Sequence, residues 1–239
     1  MNARELYQAG RLAEAIEALT AEVRSNPTDG QRRTFLFELL CFAGAFDRAG
    51  KQLDVLGQAG QEAAMGMLLY RAALHAEQIR QEMFATNQLP FSTRDPTPVT
   101  GTLNGTPFTS LLDADPRIGA RLEVFAAGEY LWIPLEHVAS IRIDPPKRLR
   151  DLMWTPAIVR PGPGFKGGEL GEVLLPVLAP GTWQNDNEEV KLGRVTEWQE
   201  LSDGRPAPVG QKLLLVDDEE FPLLEARDLQ LTPVPSTAR

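Results

Sequence analysis

Ala9-Gly10-Arg11-Leu12-Ala13-Glu14-Ala15 is answered 34 residues later by Ala43-Gly44-Ala45-Phe46-Asp47-Arg48-Ala49. Ala, Gly, a bulky apolar residue and Ala return at the same offsets. A period of about 34 residues is that of the tetratricopeptide unit, a helical hairpin that buries its apolar face only against neighbouring copies. Arrays of this kind usually bind protein segments and rarely perform chemistry. The repeat predicts a helical module whose work is docking.

Outward from the first copy, Leu6, Ala9, Leu12, Ala15, Ile16, Leu19 and Val23 keep helical spacing, broken only at Gly10. Asn26-Pro27 stops the second helix, because proline disfavours helical backbone in the residue before it. A second pair follows, with Phe35, Leu36, Leu39, Leu40 and Phe42 before Gly44, and Ala49, Leu53 and Leu56 after it. Gly60-Gln61 breaks the chain, and Glu62 to Phe84 then reads as one long helix. Gln78 stands where a third turn glycine belongs, so this is an altered or capping unit.

Leu89-Pro90-Phe91 and Pro96-Thr97-Pro98 end the helical pattern, and the remainder reads as β-rich. Asn104-Gly105 predicts a tight hairpin between Val99–Leu103 and Thr106–Leu112. Ala127-Gly128 predicts another between Leu122–Phe125 and Tyr130–Pro134. Val138–Ile143, Val173–Leu178, Leu192–Trp198 and Lys212–Val216 are further strand candidates, and Lys147–Trp154 reads as a short helix. The expected fold is α+β in two domains: a tetratricopeptide-like helical domain over 1–90 and a β-rich mixed domain over 91–239.

Composition narrows the function. The chain carries a net charge of −9, with 43 % hydrophobic and 24 % charged residues. Residues 1–90 hold 9 basic and 11 acidic side chains, and 91–239 hold 15 and 22. Neither part has the basic footprint of a nucleic-acid binder. Cys41 is the single cysteine, which fits a reducing compartment. No secretory h-region and no run of about 18 apolar residues is present, so a cytoplasmic protein without a membrane span is expected.

Chemistry is poorly supported. Gly162-Pro163-Gly164-Phe165-Lys166-Gly167 matches G-x-G-x-x-G but has no apolar-periodic helix after it, so a turn-rich loop is the better reading. His75 and His137 are the only imidazoles and fall in different expected domains. A Cys41–His75 pair lacks an identifiable base and orienter, and an inert core cysteine is the better reading. Asp217-Asp218-Glu219-Glu220 could hold a hard cation, but a solvated hairpin tip accounts for it better. No catalytic residue, metal or cofactor is expected.

The repeat register gives a sharper candidate. First helices of tetratricopeptide pairs line a concave groove, which here places Arg4 and Tyr7, then Gln31, Thr34, Glu38 and Cys41, then Met65, Leu68, Ala72 and His75 on one face. Such a groove suits an amphipathic helix from a partner. Two readings stand: the groove is open to a partner, or the β-rich domain fills it.

Leu149-Arg150-Asp151-Leu152-Met153-Trp154-Thr155-Pro156-Ala157 resembles the R-D-L-x-W-x-P-A signature of the ImpE family, also called SciE or TagJ, accessory proteins of bacterial type VI secretion. The opening Leu6-Tyr7-x-Ala9-Gly10-x-Leu12, Arg194–Trp198, Gly210–Leu215 and the acidic turn fit the same family in the same order. The resemblance implies a non-enzymatic cytoplasmic adaptor. In the family, some members bind the N-terminal helix of the small contractile-sheath subunit and are thereby linked to the AAA+ ATPase that disassembles the sheath. The matching signature positions are Arg150, Asp151, Trp154 and Pro156, with Trp154 expected between the short helix and the sheet, and Arg150 or Asp151 pairing or capping locally. Alternatives from other classes are a small-ligand protein or enzyme using the β-rich domain and its glycine loop, and a purely structural oligomer.

Overall fold

The two repeat glycines end their helices in the same way. In the computed structural model, which describes residues 1–58, 60–90, 97–162 and 164–233, Gly10 and Gly44 take left-handed backbone with φ 76° and 68°. The Arg11 amide donates to the Leu6 carbonyl and the Gly10 amide to Tyr7, both at 3.0 Å. The Ala45 amide donates to Leu40 at 2.9 Å and the Gly44 amide to Cys41 at 3.0 Å. This paired pattern satisfies the last carbonyls of a helix and reverses the chain. It separates α1 (Ala3–Gln8) from α2 (Leu12–Ser25) and α3 (Gly30–Phe42) from α4 (Phe46–Gly57).

Starts are equally local. The Asn2 side chain accepts from the Glu5 amide at 3.0 Å while Glu5 accepts from the Asn2 amide at 2.9 Å, and Asp29 accepts from the Arg32 amide at 3.0 Å. The expected long helix is α5 (Gln61–Thr86), ended by Asn87 at φ 54°. Leu12, Leu19, Leu36, Leu39, Leu40, Ala49 and Leu53 are all buried between these helices.

Thirteen strands follow among the described residues: β1 (Val99–Leu103), β2 (Thr106–Phe108), β3 (Leu111–Asp113), β4 (Arg121–Ala126), β5 (Glu129–Pro134), β6 (Val138–Ile143), β7 (Trp154–Pro161), β8 (Gly171–Pro176), β9 (Glu197–Glu200), β10 (Pro206–Val209), β11 (Leu213–Val216), β12 (Glu219–Pro222) and β13 (Asp228–Pro233). A single helical turn, α6 (Glu188–Lys191), precedes β9. Eight strands form one sheet in the order β2-β1-β13-β6-β7-β8-β4-β5, all antiparallel where paired. The strands β12-β11-β3 form a second sheet, and β9-β10 a separate hairpin.

The expected Asn104-Gly105 and Ala127-Gly128 turns both form with left-handed backbone at each central residue, at φ 50° and 84° and at 51° and 87°. That is the conformation whose twist matches paired strands. Asp217 and Asp218 make a third such turn, and the Asp217 carboxylate accepts from the Thr109 and Ser110 amides at 2.8 Å each. The first acidic residue of the run is thus occupied in fastening β3 to the β11–β12 turn.

Several expectations need correction. Lys147–Trp154 is a single 3-10 turn over Leu149–Leu152, because Trp154 already begins β7. Leu192–Trp198 is mostly the exit from α6, with only Glu197 and Trp198 entering β9. Pro156 lies inside β7 opposite Leu174, just beyond Ala157, where pairing with β6 stops. A proline is tolerated there because one flank of the strand has no ladder to complete. The expected break near residue 90 falls at 91–96, outside the described residues.

The large sheet has two apolar faces. Phe125, Tyr130, Met153 and Trp154 join the helical core around Phe37, Leu40 and Phe42. Val124, Ile133, Val159, Leu175 and Leu229 form a second core with Leu111, Leu214 and Leu223 from the small sheet side. Alternation along each strand divides the residues between these layers.

A buried ionic cluster bolts α5 to the sheet. Arg80, fully buried, donates from Nε to Glu123 Oε1 at 2.8 Å, from Nη2 to Glu123 Oε2 at 3.1 Å and to the Leu178 carbonyl at 3.0 Å, and from Nη1 to Glu77 Oε1 at 3.2 Å. Lys212 Nζ reaches Asp113 at 2.5 Å and also contacts Glu123, which accepts from the Tyr130 hydroxyl as well. Trp154 Nε1 donates to Glu77 Oε2 at 3.0 Å. Burial alone raises the Glu123 carboxyl, but the Arg80 and Lys212 charges overcome it and hold the group at about 2.

The repeat glycines also meet the β-rich part. A Cβ at Gly10 would lie 1.7 Å from Glu189 Oε1, and one at Gly44 2.5 Å from the Trp183 ring. Arg194 donates to the Tyr7 carbonyl at 2.7 Å and the Gln8 carbonyl at 3.2 Å, so the segment around α6 grips the end of α1.

Gly44→Ala should lose about 1–3 kcal/mol in chemical denaturation, from left-handed strain and the Trp183 clash, whereas Gly66→Ala, with open space on α5, should gain about 0.5–1 kcal/mol. Arg80→Met should lose about 3–5 kcal/mol in the same assay, because it leaves the Glu77 carboxylate without its cation and Glu123 with Lys212 alone in the interior.

Candidate functional site

A cleft of about 820 Å³ opens between the helical layer and the β-rich part. One wall comes from α1 and α3, with Arg4, Tyr7, Gln31, Thr34, Phe35 and Glu38. Helical spacing of three and four residues puts these on one face. The opposite wall is the 146–152 stretch, with Lys147, Arg148, Leu149 and Leu152. That wall is held in shape by Asp151, whose carboxylate accepts from the Lys147 and Arg148 amides at 2.9 Å each.

The apolar lining is ordered by its own packing. Tyr7 and Phe35 meet edge to face with centroids 5.8 Å apart, and the Arg4 guanidinium lies 5.9 Å from the Phe35 centroid. Arg194 covers the Tyr7 ring at 5.0 Å. Arg150 lies 4.6 Å from the Tyr70 centroid, which ties the 149–152 turn to α5.

Among the described residues, Glu38 is the one carboxylate in the lining, and it is 8 % exposed. Burial pushes it up to about 7, although Arg150 and Arg148 nearby oppose the rise, and Asp151 adds to it. The native state therefore holds this proton more tightly than the unfolded chain does. Stability contributed by the site is present below the ordinary carboxylate range and falls as pH rises toward about 7.

The groove candidates read from the repeat divide among four places. Arg4, Tyr7, Gln31, Thr34 and Glu38 share the cleft. Cys41 is buried on the inner side of α3, facing Glu77, Trp154 and Trp183 across a small internal space. Burial first, then the Glu77 and Glu38 charges, raises its thiol well above the ordinary range, so it stays protonated. His75 borders a separate hollow between α4 and α5, and Met65 and Leu68 are exposed on α5 at 65 % and 61 %. Among the described residues no part of α5 lines the cleft, so the register carried from the first two pairs does not bring its residues there.

The signature residues also separate. Asp151 and Arg150 shape the 149–152 turn. Trp154 points to the helices, where it bonds to Glu77 and lies 6.4 Å from the Phe37 centroid. Its expected place between the short helix and the sheet is corrected accordingly. Phe35 and the far wall at 146–152 were not read as groove residues. The signature stretch flagged that wall by sequence, but its approach to α3 depends on tertiary packing.

Other candidate chemistry is dispersed. The described residues of the glycine loop join β7 to β8 with no helix between them, and Pro163 lies outside the described residues. Gly162 donates to the His137 carbonyl at 2.8 Å, which uses the loop to pack on the start of β6. Among the described residues, no group of three or more His, Cys, Asp and Glu could hold a metal ion, and no helix is long and apolar enough to cross a membrane.

Helices laid on one face of a large antiparallel sheet, with a second small sheet behind it, make this a mixed α+β protein. The same fold occurs in the crystal structure of protein VPA1032 from Vibrio parahaemolyticus, with a TM-score of 0.83, 22 % identity, and 99 % of each chain covered. The ImpE protein family model matches residues 105–230. The type VI secretion system accessory component TagJ of Pseudomonas aeruginosa is 33 % identical, over 98 % of this chain and 92 % of the relative. The chain belongs to the ImpE family.

Glu38→Gln should flatten the decline of melting temperature between about pH 5 and 8, since the amide has no proton to lose. A series of thermal melts checks this; an unchanged slope would show that Glu38 does not titrate in that window.

Proposed function

We propose that this protein is a non-enzymatic, cytoplasmic accessory component of a type VI secretion system. In this reading it captures a helical segment of the small contractile-sheath subunit in the cleft and links it to sheath disassembly by the AAA+ ATPase. The observation that carries the capture step is the cleft itself. It is open, lined by first-helix residues of the two repeat pairs, and walled on the other side by the family signature stretch. Similarity to TagJ along nearly the whole chain supports the secretion role.

The identical hydrogen-bonded turns at Gly10 and Gly44 support reading α1–α4 as two tetratricopeptide-like pairs. Residues 1–90 then serve as the docking domain and 91–239 as the body that supplies its second wall. The protonated Cys41 thiol and the dispersal of His75, Cys41 and the glycine loop favour an adaptor over an enzyme.

Calorimetric titration of the full chain with the N-terminal helix peptide of the sheath subunit tests the capture step. Binding is expected by about 100 μM, where even a weak groove contact registers, and Thr34→Trp should abolish it by occupying the cleft. Absence of binding to the unsubstituted chain at that concentration overturns the reading.

A further inference from the structure

We propose that the cleft between α3 and the 146–152 turn selects an acidic amphipathic helix, one whose apolar stripe is flanked on both sides by carboxylates. This rests on the helix-capture reading above and adds the chemistry of the occupant.

The cleft is a cationic exception in an acidic molecule. The whole chain has a net charge of −9, yet the charged residues lining the cleft are Arg4, Lys147, Arg148 and Glu38. Three are cations, and the single carboxylate is recessed. Among the described residues, neither Arg4 nor Arg148 has a carboxylate within ion-pair distance, and Lys147 has only the exposed Asp144 at 3.4 Å. Desolvating such cations without a partner is unfavourable, so an occupant that brings carboxylates is selected over one that does not. The net charge of −9 works against non-specific association of the same occupant with the molecule as a whole.

The arrangement is bilateral. Arg4 stands on the α1 wall, and Lys147 and Arg148 stand on the wall from the β-rich part. The same two walls carry the apolar surface, Tyr7 and Phe35 on the first and Leu149 and Leu152 on the second. A helix laid in the cleft presents residues at i, i+3, i+4 and i+7 to this apolar surface, and the positions beside that stripe come near the cations of the two walls. With a helix diameter near 10 Å and a rise of 1.5 Å per residue, about 820 Å³ holds about seven residues, or two turns. The recessed Glu38 attracts a basic occupant only weakly, so the discrimination comes from the cations.

Two helical peptides with one apolar stripe, flanked by Glu in the first and Lys in the second, decide the matter in fluorescence anisotropy with the full chain. The Glu peptide is expected to bind at least about tenfold tighter at low salt, with the difference shrinking as ionic strength rises. Arg4→Glu/Arg148→Glu should reverse the preference, while Arg24→Glu, on the exposed side of α2, should leave it unchanged. Equal affinity for the two peptides overturns the charge assignment and leaves helix capture standing. No binding of either peptide, with the sheath peptide also silent, overturns both. Tighter binding of an oligothymidine than of the Glu peptide would overturn the assignment in favour of a nucleic-acid surface.

Discussion

Arg80 must be paired on every side because nothing polar except protein can reach it. Its guanidinium, on the last third of α5, meets Glu123 from β4, Glu77 from its own helix and the Leu178 carbonyl. Lys212 and Asp113 extend the cluster to the second sheet. The charges cannot be separated without exposing one of them uncompensated in a low-dielectric interior. That constraint fixes the height and rotation of α5 on the large sheet. Because α3 and α4 pack on α5 and Trp154 bonds to Glu77, it also sets how far the first two helix pairs stand from the 146–152 turn. The width of the cleft is thus inherited from a cluster that does not line it.

The remaining attachments act at the ends of elements. Glu188 accepts from the Ala13 amide at 2.8 Å, Arg194 binds the carbonyls that close α1, and Trp183 lies against Gly44 and Phe46. Gln81 accepts from Trp183 Nε1 at 3.2 Å. The helical part is therefore held at its turns by one short segment and at its centre by the buried cluster, and the first-helix face stays open. Arg4, Tyr7, Gln31 and Thr34 border the open cleft, Glu38 is recessed in it, and Cys41 is enclosed. The turn glycines do double work: their φ reverses the chain, and their missing side chains admit Glu189 and Trp183.

What could be read in advance was what local chemistry decides. Gly10, Gly44, Asn104-Gly105 and Ala127-Gly128 fix left-handed backbone within a few residues, and the elements around them formed where expected, except that the expected strand Thr106–Leu112 ends at Phe108 and resumes as β3 in the second sheet. So did α5, whose apolar spacing is long and unbroken. β7 and β13 escaped notice. β7 carries Pro156 and begins at a tryptophan inside the signature stretch, and β13 mixes Asp228, Gln230 and Thr232 with two leucines and ends at Pro233. Their strand identity comes from neighbours supplied by distant residues, as when Leu229 pairs with both Leu103 and Ile141. The cleft was half legible for the same reason. Arg4, Tyr7, Gln31, Thr34 and Glu38 follow from one helical period, whereas Lys147, Arg148 and Leu149 reach them only through the folded sheet. His75, Met65 and Leu68 were projected by continuing a register that α5 does not keep.

The position of β13 carries a consequence for how the molecule comes into being. Asp228–Pro233 lies between β1 and β6, so it is the shared edge on which the β1–β2 hairpin and the rest of the large sheet meet. Until that strand has emerged from the ribosome, β1–β2 has no place to attach and the flank of β6 stays bare. Pairings of such long sequence separation close slowly, since the loop entropy must be overcome before any contact rewards it. Helices α1–α5, built from short-range contacts, are free to collapse earlier. During synthesis, then, the helices can settle on β4, β5 and β7 first, and the arrival of the six residues of β13 fastens the β1–β2 hairpin to the rest of the sheet.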